Sequence, residues 1–379
     1  MARSPFVPSL LIGLVAGTVS GCGGISYSTF DSRAFLRGQI EDRLGERASR
    51  VEIPYELNDE VRTFAEDVGL AGGDEWKVEQ ILDLVFRHLD LEYSLYPTRT
   101  ATDTYAARSG NCLSFVNLFV GIAREKRLNP FYVEVEDHQR WDYRGGMVIS
   151  HGHIVAGLYV DGELRTYDFL PYRSKSYRKF RPIDELQATA HYYNNLGAEA
   201  LLRDENQRAE ELLTLAHGLA PDFRRATSNL GVAFLRLGRD AEAVDLLSAA
   251  AEEAPDDSTL LSNLARAYQA QGRLELAGQI LDQVELSNHA SPFFFVYRGD
   301  LALAEGKPAQ ALEYMADALR RESEAPEVHL GLVRAYLALG DLDKAQHHLE
   351  RALKLDATHA EARRYVAMLQ TLREQRGTS

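Results

Sequence analysis

From residue 190 onward this chain repeats itself every 34 residues without a gap, through 190–223, 224–257, 258–291, 292–325 and 326–359. The seventh position of each unit holds Leu196, Leu230, Leu264, Arg298 and Leu332, and the eighth holds Gly197, Gly231, Ala265, Gly299 and Val333. The eleventh is Ala200, Phe234, Tyr268, Ala302 and Tyr336, and alanine recurs at the twentieth as Ala209, Ala243, Ala277, Ala311 and Ala345. A fixed period of this length restricts the fold severely. No single unit can bury its own apolar face, so the units must stack, each against its neighbours, in a one-dimensional array. Residues 360–379 then read as a final polar-faced helix that caps the stack.

This period and pattern resemble the tetratricopeptide repeat (TPR). The resemblance implies an all-α TPR solenoid of five helix pairs over 190–359, with the first helix of each pair lining a concave surface. On that surface it would put Asn195, Asn229, Asn263, Arg266, Phe293, Val296, Arg334 and Leu337, facing a protein partner. Asparagine at such positions also serves local hydrogen bonding. The apolar run Phe293 to Tyr297 suits either a partner site or helix-packing core.

The first half of the chain is organised by Arg108-Ser109-Gly110-Asn111-Cys112. Beyond it stands an apolar run from Leu113 to Ala123 with hydrophobic residues on nearly every side, the mark of a buried helix. Cys112 would then occupy the first turn, where unpaired backbone N–H groups and the positive dipole end favour a thiolate. The same amides could serve a developing oxyanion. The bland alternative is a small thiol that only packs.

A hairpin downstream supplies candidate partners for that thiol. Asp161-Gly162 separates two β-rich runs, Ile154 to Val160 and Glu163 to Phe169. Asp-Gly between such runs is a strong two-residue turn signal. Pairing Val160 with Glu163 sets Val155 opposite Asp168 and makes His153 the diagonal neighbour of Asp168 on one face. His151 shares that parity and competes for the role of base; the spacing to Asp168 favours His153. A thiol, an imidazole and a carboxylate form the set needed for an activated nucleophile.

With these residues in view, 58–185 resembles the transglutaminase-like branch of the papain-like cysteine protease fold. A helix ends near Glu92-Tyr93 before the Gly-x-Cys helix, a strand follows at Phe131 to Val135, and His153 and Asp168 keep the family's spacing across a hairpin. The resemblance implies an α+β domain of helices packed on an antiparallel sheet. It implies that Cys112 is the nucleophile, His153 the general base and acid, and Asp168 the group that fixes the imidazole tautomer. The sequence departs from the family at Ile154-Val155 after the histidine, at Arg127 to Phe131, and at Phe169 after the aspartate. The polar stretch 97–110 would be a loop bordering the substrate cleft or a plain surface loop. In a second polar insertion, 137–146, Trp141 would form a cleft wall.

Composition limits the partners. The 379 residues carry a net charge of −14, which argues against nucleic acid, because phosphate binding needs clustered cations. His138 and His151 lack further ligands at zinc-site spacing, so no metal and no cofactor is expected. The run Arg173, Lys175, Arg178, Lys179 and Arg181 reads as a solvated linker at the domain boundary.

The sequence holds only two cysteines. Cys22 follows Arg3 and an apolar stretch from Phe6 to Val19, too short to span a membrane and suited to a signal peptide. Val19-Ser20-Gly21-Cys22 resembles the lipobox of bacterial lipoproteins. That likeness makes 1–22 a lipoprotein signal peptide with Cys22 lipidated, 23–57 a tether with a short helix, and the location the outer membrane, facing the periplasm. Cys112 would then be a lone thiol in an oxidising compartment, which favours a catalytic role.

Taken together, these readings predict a lipid-anchored periplasmic enzyme. It would transfer acyl groups through a Cys112 thioester as a peptidase or amidase on a peptide or protein substrate, with the repeats recruiting a protein partner or that substrate. The alternatives are a transglutaminase with an amine acceptor, and a non-catalytic TPR adaptor lipoprotein in envelope assembly.

Overall fold

The computed structural model describes residues 32–144, 147–170, 179–285, 291–357 and 359–377. Cys22 and the apolar stretch before it lie outside them, as do the side chains of His138, Trp141 and His151. The chain divides into two compact units, one of residues up to 140 with 150–233, the other of 141–149 with 234–379.

The first unit opens with α1 (Ser32–Leu44), which Gly45 terminates at φ 55° before a short 3₁₀ turn. Leu36 and Ile40, one helical turn apart, are both 1% exposed. Val51, Ile53, Tyr55 and Leu57 follow and are likewise buried. The short helix expected within 23–57 is thus present as α1, and the apolar residues that follow it pack into core.

Asn58 caps α2 (Asp59–Ala65) by accepting from the Val61 amide. α3 (Asp74–Asp83) continues into a π-helical turn, Leu84–His88. β1 (Glu92–Tyr93) pairs in parallel with β2 (Ser109–Gly110). Between them lies α4 (Ala101–Ala107), capped by Thr100, whose hydroxyl accepts from the Asp103 amide. The polar stretch 97–110 is thus no surface loop. Thr98, Thr100 and Thr104 are buried, with hydroxyls bonded to Glu199, the Asp103 amide and the Thr100 carbonyl respectively.

α5 (Cys112–Glu125) is the core helix, and every residue from Leu113 to Ala123 is buried. A helix apolar on all faces needs neighbours all round. It finds them in α2, α3 and α4 and in the sheet, whose Tyr132 hydroxyl donates to Asn117 Oδ1. The sheet has the order β5-β4-β3-β6, from β3 (Phe131–Arg144), β4 (Met147–Val160), β5 (Glu163–Tyr167) and β6 (Phe180–Ile183). Residues 137–144, read as a polar insertion, continue β3 as strand. Arg181 belongs to the edge strand β6 opposite Glu134 and not to a linker.

The helix pairs follow. α6 (Glu185–Leu202) and α7 (Asn206–Leu219) pack together, and α8 (Arg224–Arg236) begins the next pair. The second unit continues with α9 (Asp240–Glu253), α10 (Ser258–Ala270), α11 (Leu274–Glu285), α12 (Pro292–Ala304), α13 (Pro308–Arg321), α14 (Pro326–Ala338), α15 (Leu342–Leu355) and α16 (Ala360–Gly377). Successive first helices start at 224, 258, 292, 326 and 360, and second helices at 240, 274, 308 and 342, each 34 residues apart. The recurring alanines are what allow this spacing. Ala209, Ala243, Ala277, Ala311 and Ala345 are all buried where helices meet, leaving no room for a longer side chain.

A candidate thiol site in the first unit

Three local devices fix Cys112 at the head of α5. The Asn111 side chain accepts from the Ser114 amide at 3.0 Å and its hydroxyl at 2.9 Å, a helix cap. Its Nδ2 donates to Thr98 Oγ1 at 2.7 Å, tying the cap to the preceding segment. The β1–β2 bridge holds the approach, with the Ser94 amide donating to the Gly110 carbonyl. Gly110 is required by space, since a Cβ there would lie 2.5 Å from Ser114 Cβ. Below, Phe115 sits edge-on to Phe86 and Tyr93, and Phe119 packs on Tyr167 and Phe169.

The imidazole arrives from the sheet. Asp161 and Gly162 both have positive φ, 52° and 84°, the geometry of a type I′ turn. The turn sets Val160 opposite Glu163 and Ala156 opposite Tyr167. One step further along this register, past the end of β5, His153 Nε2 lies 3.1 Å from Asp168 Oδ1. The carboxylate thus faces the ring as its charge partner. Asp168 is itself held, accepting from the Leu170 amide at 3.1 Å.

His153 is 3% exposed, and burial alone would lower its pKa. Asp168 and the Cys112 sulfur, both within hydrogen-bonding reach, more than offset burial and hold the pKa up at about 10. Cys112 is only half-buried, whereas His153 is almost fully enclosed. The three side chains expected from the sequence are therefore neighbours.

A support behind His153 was not legible from spacing. Glu134 on β3 is 5% exposed and meets both Arg181 and Arg225, with His191 Nε2 at 3.8 Å. The Arg225 guanidinium also abuts Gly152, where a Cβ would come within 2.9 Å of Nη2. Burial and then the Arg181 charge push the His191 pKa down to about 3, so this histidine stays neutral. A buried carboxylate flanked by two guanidiniums thus braces the peptide next to the imidazole. The only sequence signal was the lone glycine before His153.

The expected concave residues have divergent fates. Phe293 is 3% exposed, in one core cluster with Phe294, Phe295, Val296 and Tyr297, so that run is packing core. Arg334 is engaged by Asp300 at 2.8 Å and Glu361 at 2.8 Å. Arg266 lies over the Tyr297 ring at 5.3 Å. Asn229 donates to Asn194 at 2.8 Å, while the buried Asn195 Oδ1 has no hydrogen-bond partner among the described residues. Asn263 grips Val148 through both main-chain groups.

Among the described residues no group of three or more His, Cys, Asp or Glu side chains is arranged to hold a metal. No described helix is long and apolar enough to cross a membrane.

A tetratricopeptide-repeat family model matches residues 200–262, 241–292 and 302–369. The helix pairs of this region are TPR repeats, consistent with their constant period. Among solved structures, a thermophilic TPR protein of Thermus thermophilus is similar at 23% identity, covering 48% of this chain and 99% of that one, with a TM-score of 0.44. The pilF protein of Pseudomonas aeruginosa is similar at 23% identity, covering 52% of this chain and 89% of that one, with a TM-score of 0.40. No curated protein matches the chain.

Proposed function

We propose that the first unit is a transglutaminase-like, papain-like domain that performs cysteine-dependent acyl transfer, most simply as a peptidase or amidase. The observation that carries this is the meeting of Cys112, at the head of a buried helix, with an imidazole that lies 3.1 Å from Asp168. With Nε2 turned to Asp168, Nδ1 is the ring nitrogen left for the thiol. In this reading His153 holds the thiol proton as Cys112 Sγ attacks the acyl carbonyl. The C–S bond forms, the bond to the leaving amine breaks, and the amine takes the proton from His153. Water, activated by the same imidazole, then cleaves the thioester and frees Cys112. The Cys112 amide, in the first turn of α5, is the nearest donor for the oxyanion. Asp168 keeps the ring oriented and favours its charged form.

The repeats supply protein binding, the property for which TPR arrays are built, and would bring a partner or the substrate protein to this domain. A second reading, a non-catalytic TPR adaptor, is favoured by the family-model match falling on the repeats alone. Anchoring through a lipidated Cys22 at a bacterial outer membrane completes the proposal. It rests on the Val19-to-Cys22 motif, and Cys22→Ser releasing the protein from membranes is the check.

The direct test uses p-nitrophenyl acetate with the full chain. The expected result is a stoichiometric burst of p-nitrophenolate and an acetyl adduct mapped by mass spectrometry to Cys112, both lost in Cys112→Ala. Absence of burst and adduct in the folded wild-type chain favours the adaptor.

A further inference from the structure

Besides the repeats and their capping helix, the second unit holds residues 141–149, the tip region of the β3–β4 strand pair. Met147, Val148 and Ile149 are buried there, at 8%, 1% and 0% exposure. Val148 belongs to one apolar cluster with Leu261 of α10 and Phe293 and Val296 of α12. Asn263 of α10 donates from Nδ2 to the Val148 carbonyl at 2.9 Å and accepts the Val148 amide at Oδ1 at 3.2 Å. A carboxamide offers one donor and one acceptor side by side, so it can bind the main chain of a single extended residue as a neighbouring strand would. Asn263 is itself 1% exposed, so this pairing is shielded from water.

We propose that α10 and α12 form a receptor for an extended apolar peptide segment, that the 147–149 strand is its resident occupant, and that a partner segment of the same chemistry competes for it. The pairing is through the main chain, so the receptor demands extension and apolar side chains rather than one sequence. Because the resident is tethered, its effective concentration is high, and a free segment binds well only once the tip has been withdrawn. β4 runs unbroken from Val148 to His153, so exchanging the occupant alters the constraint on the strand that carries the imidazole. That coupling rests on the acyl-transfer reading. The receptor does not.

The test measures binding of a fluorescent synthetic peptide with the sequence of residues 144–152 to the full chain carrying Cys112→Ser. Val148→Asp expels the resident tip, and the expected result is binding about tenfold tighter than to the native tip, with Asn263→Ala added to it reversing the gain by about tenfold. Equal binding to all three chains overturns the receptor. If Val148→Asp fails to melt cooperatively, amide exchange at Val148 decides in the native-tip chain. There Asn263→Ala should speed exchange about tenfold, and unchanged exchange overturns the proposal. With Cys112 restored, saturating peptide on the Val148→Asp chain should shift the Cys112 alkylation rate. Binding without that shift removes the coupling and leaves both the receptor and the acyl-transfer reading standing.

Discussion

His153 shows how one side chain can be buried and still charged. Burial opposes the imidazolium, yet Asp168 and Cys112 flank it and hold its pKa at about 10. The folded pKa is therefore above the unfolded value. The stability it contributes is fully present below about pH 6.5 and lost as pH rises through about 10. An NMR titration of the His153 ring should report this high midpoint, and Asp168→Asn should bring it down. The contact was legible because the Asp-Gly turn has one favoured geometry and a strand has period two. Together they carry register from Val160 to His153. What spacing could not reveal is the Arg225 brace, because α8 is far from β3 in sequence and nothing in either segment refers to the other.

At the scale of elements, α5 depends on its cap as much as on its apolar run. Asn111→Ala should remove the cap and its tie to the Thr98 hydroxyl, costing about 1–2 kcal/mol in denaturant unfolding and loosening Cys112. Arg225→Met should leave Glu134 with Arg181 as its remaining guanidinium partner. The loss in the same assay should fall near the low end of about 3–5 kcal/mol, with a slower thiol reaction as a second readout, because Gly152 loses its support. Helices were readable wherever periodicity ran long, as in the repeats and α5. The segment 97–110 was misjudged because buried threonines look like surface threonines until their partners, such as Glu199, are known. Within 23–57 the short helix was legible from its spacing and stands as α1, whereas the packing of Val51, Ile53, Tyr55 and Leu57 after it was not, because their partners lie elsewhere in the chain.

For the whole molecule, two other histidines set an opposite pH dependence. Burial first, then Arg181, depresses His191 to about 3; burial first, then His329 and His347, depresses His348 to about 4. Both folded pKa values lie below the unfolded one, so the stability they favour is present above about pH 6.5 and lost as pH falls through about 4 for His348 and about 3 for His191. Thermal unfolding should thus be most resistant near neutral pH, with His191→Phe flattening the acid limb and His153→Gln the alkaline limb. His348 is half-exposed, so its share is reduced by solvent. The repeats were legible as a pattern, whereas the docking of 147–149 at Asn263 was not, since a carboxamide gripping main chain leaves no trace in either segment. The central claim is that Cys112 is activated by His153, and iodoacetamide kinetics on the full chain at neutral pH test it most directly. The expected result is alkylation about tenfold or more faster than a free cysteine, falling to the free-thiol rate in His153→Ala. A folded chain whose Cys112 reacts no faster than free cysteine, or equally fast without His153, contradicts it.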